Sequence, residues 1–465
     1  MAVDQLDFGD SLAGLLVDGV DEQPYVAAVL KMTREEGIVL EVPYHDAAAE
    51  FAHVATWFGA HTPPANLVLQ TSGGDVSLFD LQFAGRAMSM GTGSGIGRLA
   101  PRATVLGPRT VPVNVPLALE RVASRLDGLN LWTGLQSEER QADADGEGRT
   151  QQMTVTLRSP NALSWRQGDA TLTLRSSWQT VSGQDGYERH TSVSDNVVVE
   201  STFDDGPRPF ADHFVEQRKL ATLLRLLYGR PISFRRHEVR DGSFAVDIGT
   251  ARPYVPTLEL ISTATVRERE RPIPTQGELG LPIAFLGQLG PDALAAWSDN
   301  YDAWSRFILP AAAIFGRAEP FIEDVVNSTN MAMEAAGQHI GFRSGEDETY
   351  SGKRTTTATY VYRCLDLLGL DWGDRIDGTI GLARAVANSY NTIKHPDRGA
   401  YPDITESAIV ARVGRLIVRL LALHVAGSDA LLKELRDARD VLLVRQDLID
   451  YGLRVDHDGN WIRDQ

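Results

Sequence analysis

Cysteine is nearly absent: Cys364 is the only one in 465 residues. That excludes an intrachain disulfide and a zinc site built on clustered cysteines, and it fits a reducing compartment. No stretch approaches the roughly 20 apolar residues that span a bilayer. The opening Met-Ala-Val-Asp-Gln-Leu-Asp has acids where a secretory signal has a basic flank and an apolar run. A cytoplasmic location with no membrane partner is therefore expected. Positive charge is in deficit, 45 Lys and Arg against 62 Asp and Glu, for a formal net charge of -17. Broad adhesion to nucleic acid through phosphate neutralisation is excluded, so any such contact must be local. The glycine cluster Gly91 to Gly97 lacks the Lys-Ser/Thr of a nucleotide-binding loop. It also breaks the dinucleotide pattern at Ile96, and Pro101 follows where a helix would have to begin, so it reads as a hairpin connection.

What remains is an ordinary globular composition, 43% hydrophobic and 23% charged, long enough for two or three domains. Up to about residue 270 the dominant period is two. Strands are expected at 25–31, 37–42, 66–70, 75–79, 103–106, 153–158, 171–176, 196–201, 232–239 and 257–266, with helices at 46–58 and 212–228. So many short strands suggest a sandwich-like or curved two-sheet fold. The segment 136–151, rich in Glu, Asp, Gln and Gly, reads as a solvated loop. His190 and His237 stand alone, in surface or packing roles.

Prolines and glycines crowd the stretch from Pro272 to Gly290, and beyond it the period changes to 3.6. The expected organisation is a β-rich domain over 1–275, a linker over 276–291 and an all-α bundle over 292–465, giving an α+β fold class. Helices are expected at 292–315, divided or kinked at Pro310, and at 320–340, 355–368, 379–395, 404–425 and 429–450. Cys364, among Tyr360, Val361, Leu365 and Leu368, reads as core.

The chemistry concentrates in Ser389-Tyr390-Asn391-Thr392-Ile393-Lys394-His395-Pro396-Asp397-Arg398-Gly399. Pro396 stops the helix, so His395 falls on its last turn with Asn391 one turn earlier on the same face. Lys394 and Arg398 add positive charge. An amide, an imidazole and two cations there suit a phosphodiester, with the imidazole as proton shuttle. The plain structural alternative is a helix C-cap followed by an ordinary turn. Arg412, Arg415 and Arg419 form a stripe at helical spacing, either a solvated face or an RNA contact.

A β-rich half followed by a helical bundle whose late helix ends in Asn-x-x-x-His resembles the ApeA family, in which an ApeA-type N-terminal domain precedes a HEPN domain. The resemblance is carried by Asn391 and His395, the Trp-rich segment Trp297 to Phe315, and Met333-Glu334. It implies an antiphage abortive-infection protein with a HEPN-like bundle that cuts RNA, for instance at a tRNA loop, without metal or other cofactor and usually as a homodimer. The N-terminal domain would sense or regulate, for instance in answer to a phage-derived trigger. His395, Asn391 and Arg398 would then be catalytic, with Lys394, Tyr390, Arg412 and Arg415 binding substrate. One departure stands out. The family pattern has arginine immediately before the asparagine, and this chain has Tyr390. Arg384 is eleven residues from His395, about 16 Å along a helix, too far to replace it. Two other readings stay open. One is a catalytically degenerate bundle serving as a dimerisation, RNA-binding or sensor module. The other is a carbohydrate-binding sandwich using Trp57, Trp132, Trp165 and Trp178, against which stands the usual core role of lone tryptophans.

Overall fold

The computed structural model describes residues 5–19, 26–45, 52–89, 92–159, 162–249, 252–395, 397, 402–436 and 439–464. Contacts divide the chain into two units. One holds residues 1–130, 135–217 and 233–274; the other holds 131–134, 218–232 and 275–465.

The first unit is β-rich. In chain order it has β1 (Ser11–Val17), β2 (Val26–Thr33), β3 (Gly37–His45), α1 (Ala52–Gly59), β4 (Asn66–Thr71), β5 (Gly74–Phe79), β6 (Gln82–Met88), β7 (Ser94–Ala100), β8 (Ala103–Val105) and β9 (Arg121–Leu126). After α2 (Leu129–Thr133) come β10 (Glu138–Ala144), β11 (Thr150–Leu157), β12 (Leu163–Gln167), β13 (Ala170–Asp185) and β14 (Glu188–Phe203). Strands β15 (Phe234–Arg240) and β16 (Leu258–Ser262) and helix α4 (Val266–Arg269) complete it, and helix α3 (Phe210–Tyr228) is shared, with 210–217 here and 218–228 in the other unit. All ten expected strands are present; most bury one or both faces, as β2 does with Val26, Ala28, Leu30 and Met32 pointing inward, while β11 is largely exposed. The expected helix at 46–58 begins outside the described residues; its remainder is α1.

Fourteen of the strands form one antiparallel ladder, in the order β12-β13-β14-β9-β15-β16-β8-β5-β4-β1-β2-β3-β7-β6, rather than two separate sheets. It cannot be flat. Strands β16 and β3 are six steps apart in that order, roughly 29 Å at the usual strand spacing. Yet a Cβ added to Gly37 in β3 would lie 3.1 Å from Val266 Cγ1, just beyond β16. This part of the sheet therefore coils onto itself around a core that includes Leu30, Leu40, Leu69, Leu78 and Ile261, with Trp57 and Phe58 from α1 packed into it. The segment 136–151 is not a loop: β10 and β11 pair as a separate hairpin, exposed over most of both strands. Trp57, Trp132 and Trp165 are buried, as core tryptophans, and Trp178 is exposed.

The second unit is helical. It takes α5 (Gln276–Leu279), α6 (Leu286–Asn300), α7 (Ser305–Phe315), α8 (Ile322–Ile340), α9 (Thr357–Leu368), α10 (Gly378–Lys394), α11 (Ile404–Val425), α12 (Asp429–Glu434) and α13 (Arg439–Asp450), then a hairpin of β17 (Leu453–Val455) and β18 (Trp461–Arg463). Residues 276–291, expected to be a linker, contain α5 and the start of α6. The helix expected over 292–315 is interrupted at 301–304, and Pro310 sits inside α7. Cys364 is fully buried and its thiol is pushed up by that burial, so it is a core residue.

Candidate functional site

Helix α10 ends where its sequence says it must. The His395 amide donates to Asn391 O at 2.9 Å, closing the last turn, and the residue leaves the helix with φ -124° and ψ 93°. Asn391 and His395 are half-buried, neither enclosed in the core nor fully out in solvent. Tyr390 is different. It is 3% exposed, and its hydroxyl accepts a hydrogen bond from Lys394 Nζ at 3.0 Å. The same ammonium lies 5.0 Å from the centre of the Tyr390 ring. Tyr390 is therefore placed to hold Lys394, not to line an open surface. Arg398 and Pro396 lie outside the described residues.

Two residues weighed in the sequence are engaged elsewhere. Arg384 donates to the carbonyls of His457 at 2.8 Å and Glu348 at 2.6 Å, and to Asp458 at 3.1 Å, tying α10 to the C-terminal hairpin and to the 3-10 turn Glu346–Thr349. Glu334 in α8 accepts from the Thr357 hydroxyl at 2.6 Å, at the first turn of α9. No hydrogen bond joins Glu334 to His395 among the described residues.

The arginine stripe of α11 is not a solvated face. It lines a cavity of about 850 Å³ whose walls all belong to the helical unit. Six arginines face it: Arg230, Arg317, Arg412, Arg415, Arg419 and Arg439. Sequence reasoning found three of them, because they share one helix. The others come from the end of α3, from just after α7 and from the start of α13, and no local pattern links them.

The register between α11 and α13 decides which cations are neutralised. Arg412 pairs with Asp447, and Arg419 pairs with Asp440 at 2.9 Å. Two turns forward on one helix match two turns back on the other, so the helices run antiparallel. That register sets Val444, fully buried, against Arg415. Among the described residues Arg415 consequently has no carboxylate partner, and its Nε has no hydrogen-bond acceptor within reach. Burial lowers its pKa, and the neighbouring charges of Arg230 and Arg412 lower it further. Arg419 does structural work as well: it donates to Leu226 O at 3.2 Å and Leu227 O at 2.9 Å, two carbonyls left open at the end of α3. Gly229, in the left-handed region at φ 64°, makes room for it, since a Cβ there would lie 3.1 Å from Arg419 Nε.

Fold and site define an α+β chain of two units: a coiled antiparallel sheet, and a helical bundle bearing an arginine-lined cavity and a partly exposed Asn/His pair. Residues 20–242 match the family model described as ApeA N-terminal domain 1, so the β-rich part of this chain is similar to that domain. No curated protein and no solved structure matches the chain. Among the described residues, no helix is long and apolar enough to cross a membrane.

Proposed function

We propose that this chain is an antiphage defence protein whose helical unit is a HEPN-like, metal-independent endoribonuclease, regulated by its ApeA-like N-terminal domain. The observation that carries this reading is the Asn391/His395 pair, one turn apart at the end of α10 and reachable from solvent, beside the Lys394 ammonium. In this chemistry the ribose 2′-hydroxyl attacks its own phosphorus. His395 takes that proton or protonates the departing 5′-oxygen, Asn391 donates to a phosphoryl oxygen, and a cation offsets the charge gathering there. Lys394 is the cation at hand; a second copy in a homodimer is the other source. Single-stranded loops, such as those of tRNA, are the fitting substrates because their phosphates and 2′-hydroxyls stand outside a stacked helix.

The test is purified full-length protein with total RNA in EDTA. Discrete fragments are expected from the wild type and none from His395→Ala, with the Tm of the two proteins within a degree or two. Fragments that persist in His395→Ala would remove His395 from the chemistry.

A second reading has its own observation. The position where the family has arginine is occupied by Tyr390, which is buried and holds Lys394. On that ground the bundle is a catalytically degenerate module that binds RNA or dimerises. Wild-type protein that retains RNA on a filter yet leaves it intact would select this reading over the first.

A further inference from the structure

The cavity beneath α11 gathers charge that nothing above employs. Its six arginines face two acids among its lining residues, Glu278 and Asp440. Both acids are occupied. Glu278 Oε2 accepts from the backbone amide and the hydroxyl of Thr275, each at 2.8 Å, and Asp440 is held by Arg419. Three of the arginines are paired: Arg317 with Asp324 at 2.6 Å, Arg412 with Asp447, and Arg419 with Asp440. Among the described residues Arg230, Arg415 and Arg439 have no carboxylate partner. Three unpaired guanidinium groups around one cavity, in a chain of net charge -17, repel one another unless an anion lies between them.

Size and lining narrow the anion. About 850 Å³ is far more than one phosphate fills and falls within the range of small-molecule sites. Much of the remaining wall is apolar, including Ile283, Phe315, Leu416 and Leu443. A ligand with a multiply charged head and a flat, weakly polar body matches both parts. We propose that this cavity binds a nucleoside 5′-polyphosphate, its phosphates taken by Arg230, Arg415 and Arg439 and its base by the apolar wall. The ligand is either a free nucleotide or the 5′-triphosphate end of an RNA; the recognised chemistry is the same. This site is separate from the His395 turn, none of whose residues line the cavity.

Calorimetric titration of the full-length protein tests it, with ATP, GTP, adenosine, inorganic phosphate and a short 5′-triphosphorylated RNA as probes. ATP or GTP is expected to bind, adenosine not at all, and binding is expected to weaken as salt rises. Arg415→Gln is expected to lower affinity at least about tenfold through loss of a charge-assisted phosphate contact. Arg230 and Arg439 are exposed, so the double variant Arg230→Gln/Arg439→Gln keeps its fold and should weaken binding as much. His395→Ala should bind as the wild type does, which keeps this outcome independent of the cleavage test. Binding of the triphosphorylated RNA alone, weakened by Arg415→Gln, assigns the ligand to an RNA end. The proposal is overturned if no nucleotide or triphosphorylated RNA binds, if phosphate binds as tightly as ATP, or if the arginine variants bind unchanged.

Discussion

Gly97 is a position where one methyl group is too much. It lies in β7, and a Cβ there would fall 2.1 Å from the Phe58 ring, itself fully buried and unable to move aside. The glycine cluster that superficially suggests a phosphate loop thus serves packing: its last member lets α1 press against the strand, while β6 and β7 form a hairpin with no helix after it. Gly97→Ala should cost about 3 kcal/mol by overpacking, read as a lower urea midpoint, and Phe58→Leu in the same chain should recover part of the loss. No recovery would place the strain elsewhere. Tyr390 makes the opposite case. Tyr390→Arg creates the string Arg-Asn-x-x-x-His, yet it puts a guanidinium into a site only 3% exposed. A lower Tm and no gain in RNA cleavage are expected; a rise in cleavage would show that the side chain escapes to the His395 turn.

At the scale of elements, α3 is fastened to the sheet by a hydrogen-bond chain whose direction can be read off. His213 Nε2 must donate to Leu119 O at 3.0 Å, so its Nδ1 accepts from Ser201 Oγ at 2.9 Å. Ser201 Oγ in turn accepts from Gln217 Nε2 at 2.9 Å, and the Gln217 carbonyl accepts from Ser124 Oγ at 2.5 Å. Ser124 then accepts from His237 Nδ1 at 2.7 Å, leaving His237 Nε2 to accept from Thr265 Oγ1 at 2.8 Å. Run in this direction, the chain has both imidazoles neutral. Burial lowers the pKa of His213, and burial followed by the nearby Arg269 charge lowers that of His237 to about 3. Unfolded, each binds a proton below its ordinary value near 6.5. The unfolded state therefore holds more protons at lower pH, and stability should fall as pH drops from about 6.5 toward 3 while staying flat above. His237→Phe should flatten that limb in Tm-against-pH scans; an unchanged slope would mean other groups cause it. His237, expected only to fill space or sit at the surface, is a core residue of this chain. The helical unit has its own acid-sensitive clasp. Glu346 is fully buried and accepts from Arg363 through Nε and Nη2, each at 2.7 Å. That pairing first, and the Tyr350 hydroxyl and Arg343 amide after it, hold its carboxyl down to about 2. Its contribution is complete above about 4.5 and is lost as pH falls toward 2. Glu346→Gln should lower Tm at neutral pH and shrink the acid dependence between those values.

Taken whole, the chain divides at 274/275, within the change of composition, but the helical unit also takes in two earlier segments. The helical unit recruits 218–232, so the end of α3 supplies the carbonyls that Arg419 binds and the Arg230 side of the cavity. A fragment of residues 275–465 should therefore unfold at lower denaturant than the same unit in the full chain and lose the cavity's ligand binding. A fragment of undiminished stability would show that α3 contributes little. Most of the long helices were legible because each has an apolar stripe of period 3.6 and, for several, a proline or glycine at its end; α11 starts and stops at the expected residues, whereas the single helix expected over 429–450 is α12 and α13, and α5 falls in the expected linker. The strands of the coiled sheet were legible where one face is buried. Of the β10–β11 hairpin, β11 was expected over 153–158, but β10 was read as loop because most residues on both its faces are exposed and leave no alternation to read.

By itself the sequence determined the elements, the helix end that puts Asn391 and His395 on one turn, the spacing of Arg412, Arg415 and Arg419, and the shortage of positive charge elsewhere. These are local matters, set by side-chain period, by proline and by charge, and they hold whatever the chain later packs against. Tertiary structure alone decided that the sheet coils into one ladder, that Tyr390 faces inward, and that the arginine stripe meets three further arginines from distant segments around a cavity. It also decided that Arg415 is unpaired, because the antiparallel register of α11 and α13 gives Asp447 and Asp440 to its neighbours and only a valine to it. Neutralisation is a question of distance in space, and spacing along the chain does not contain it.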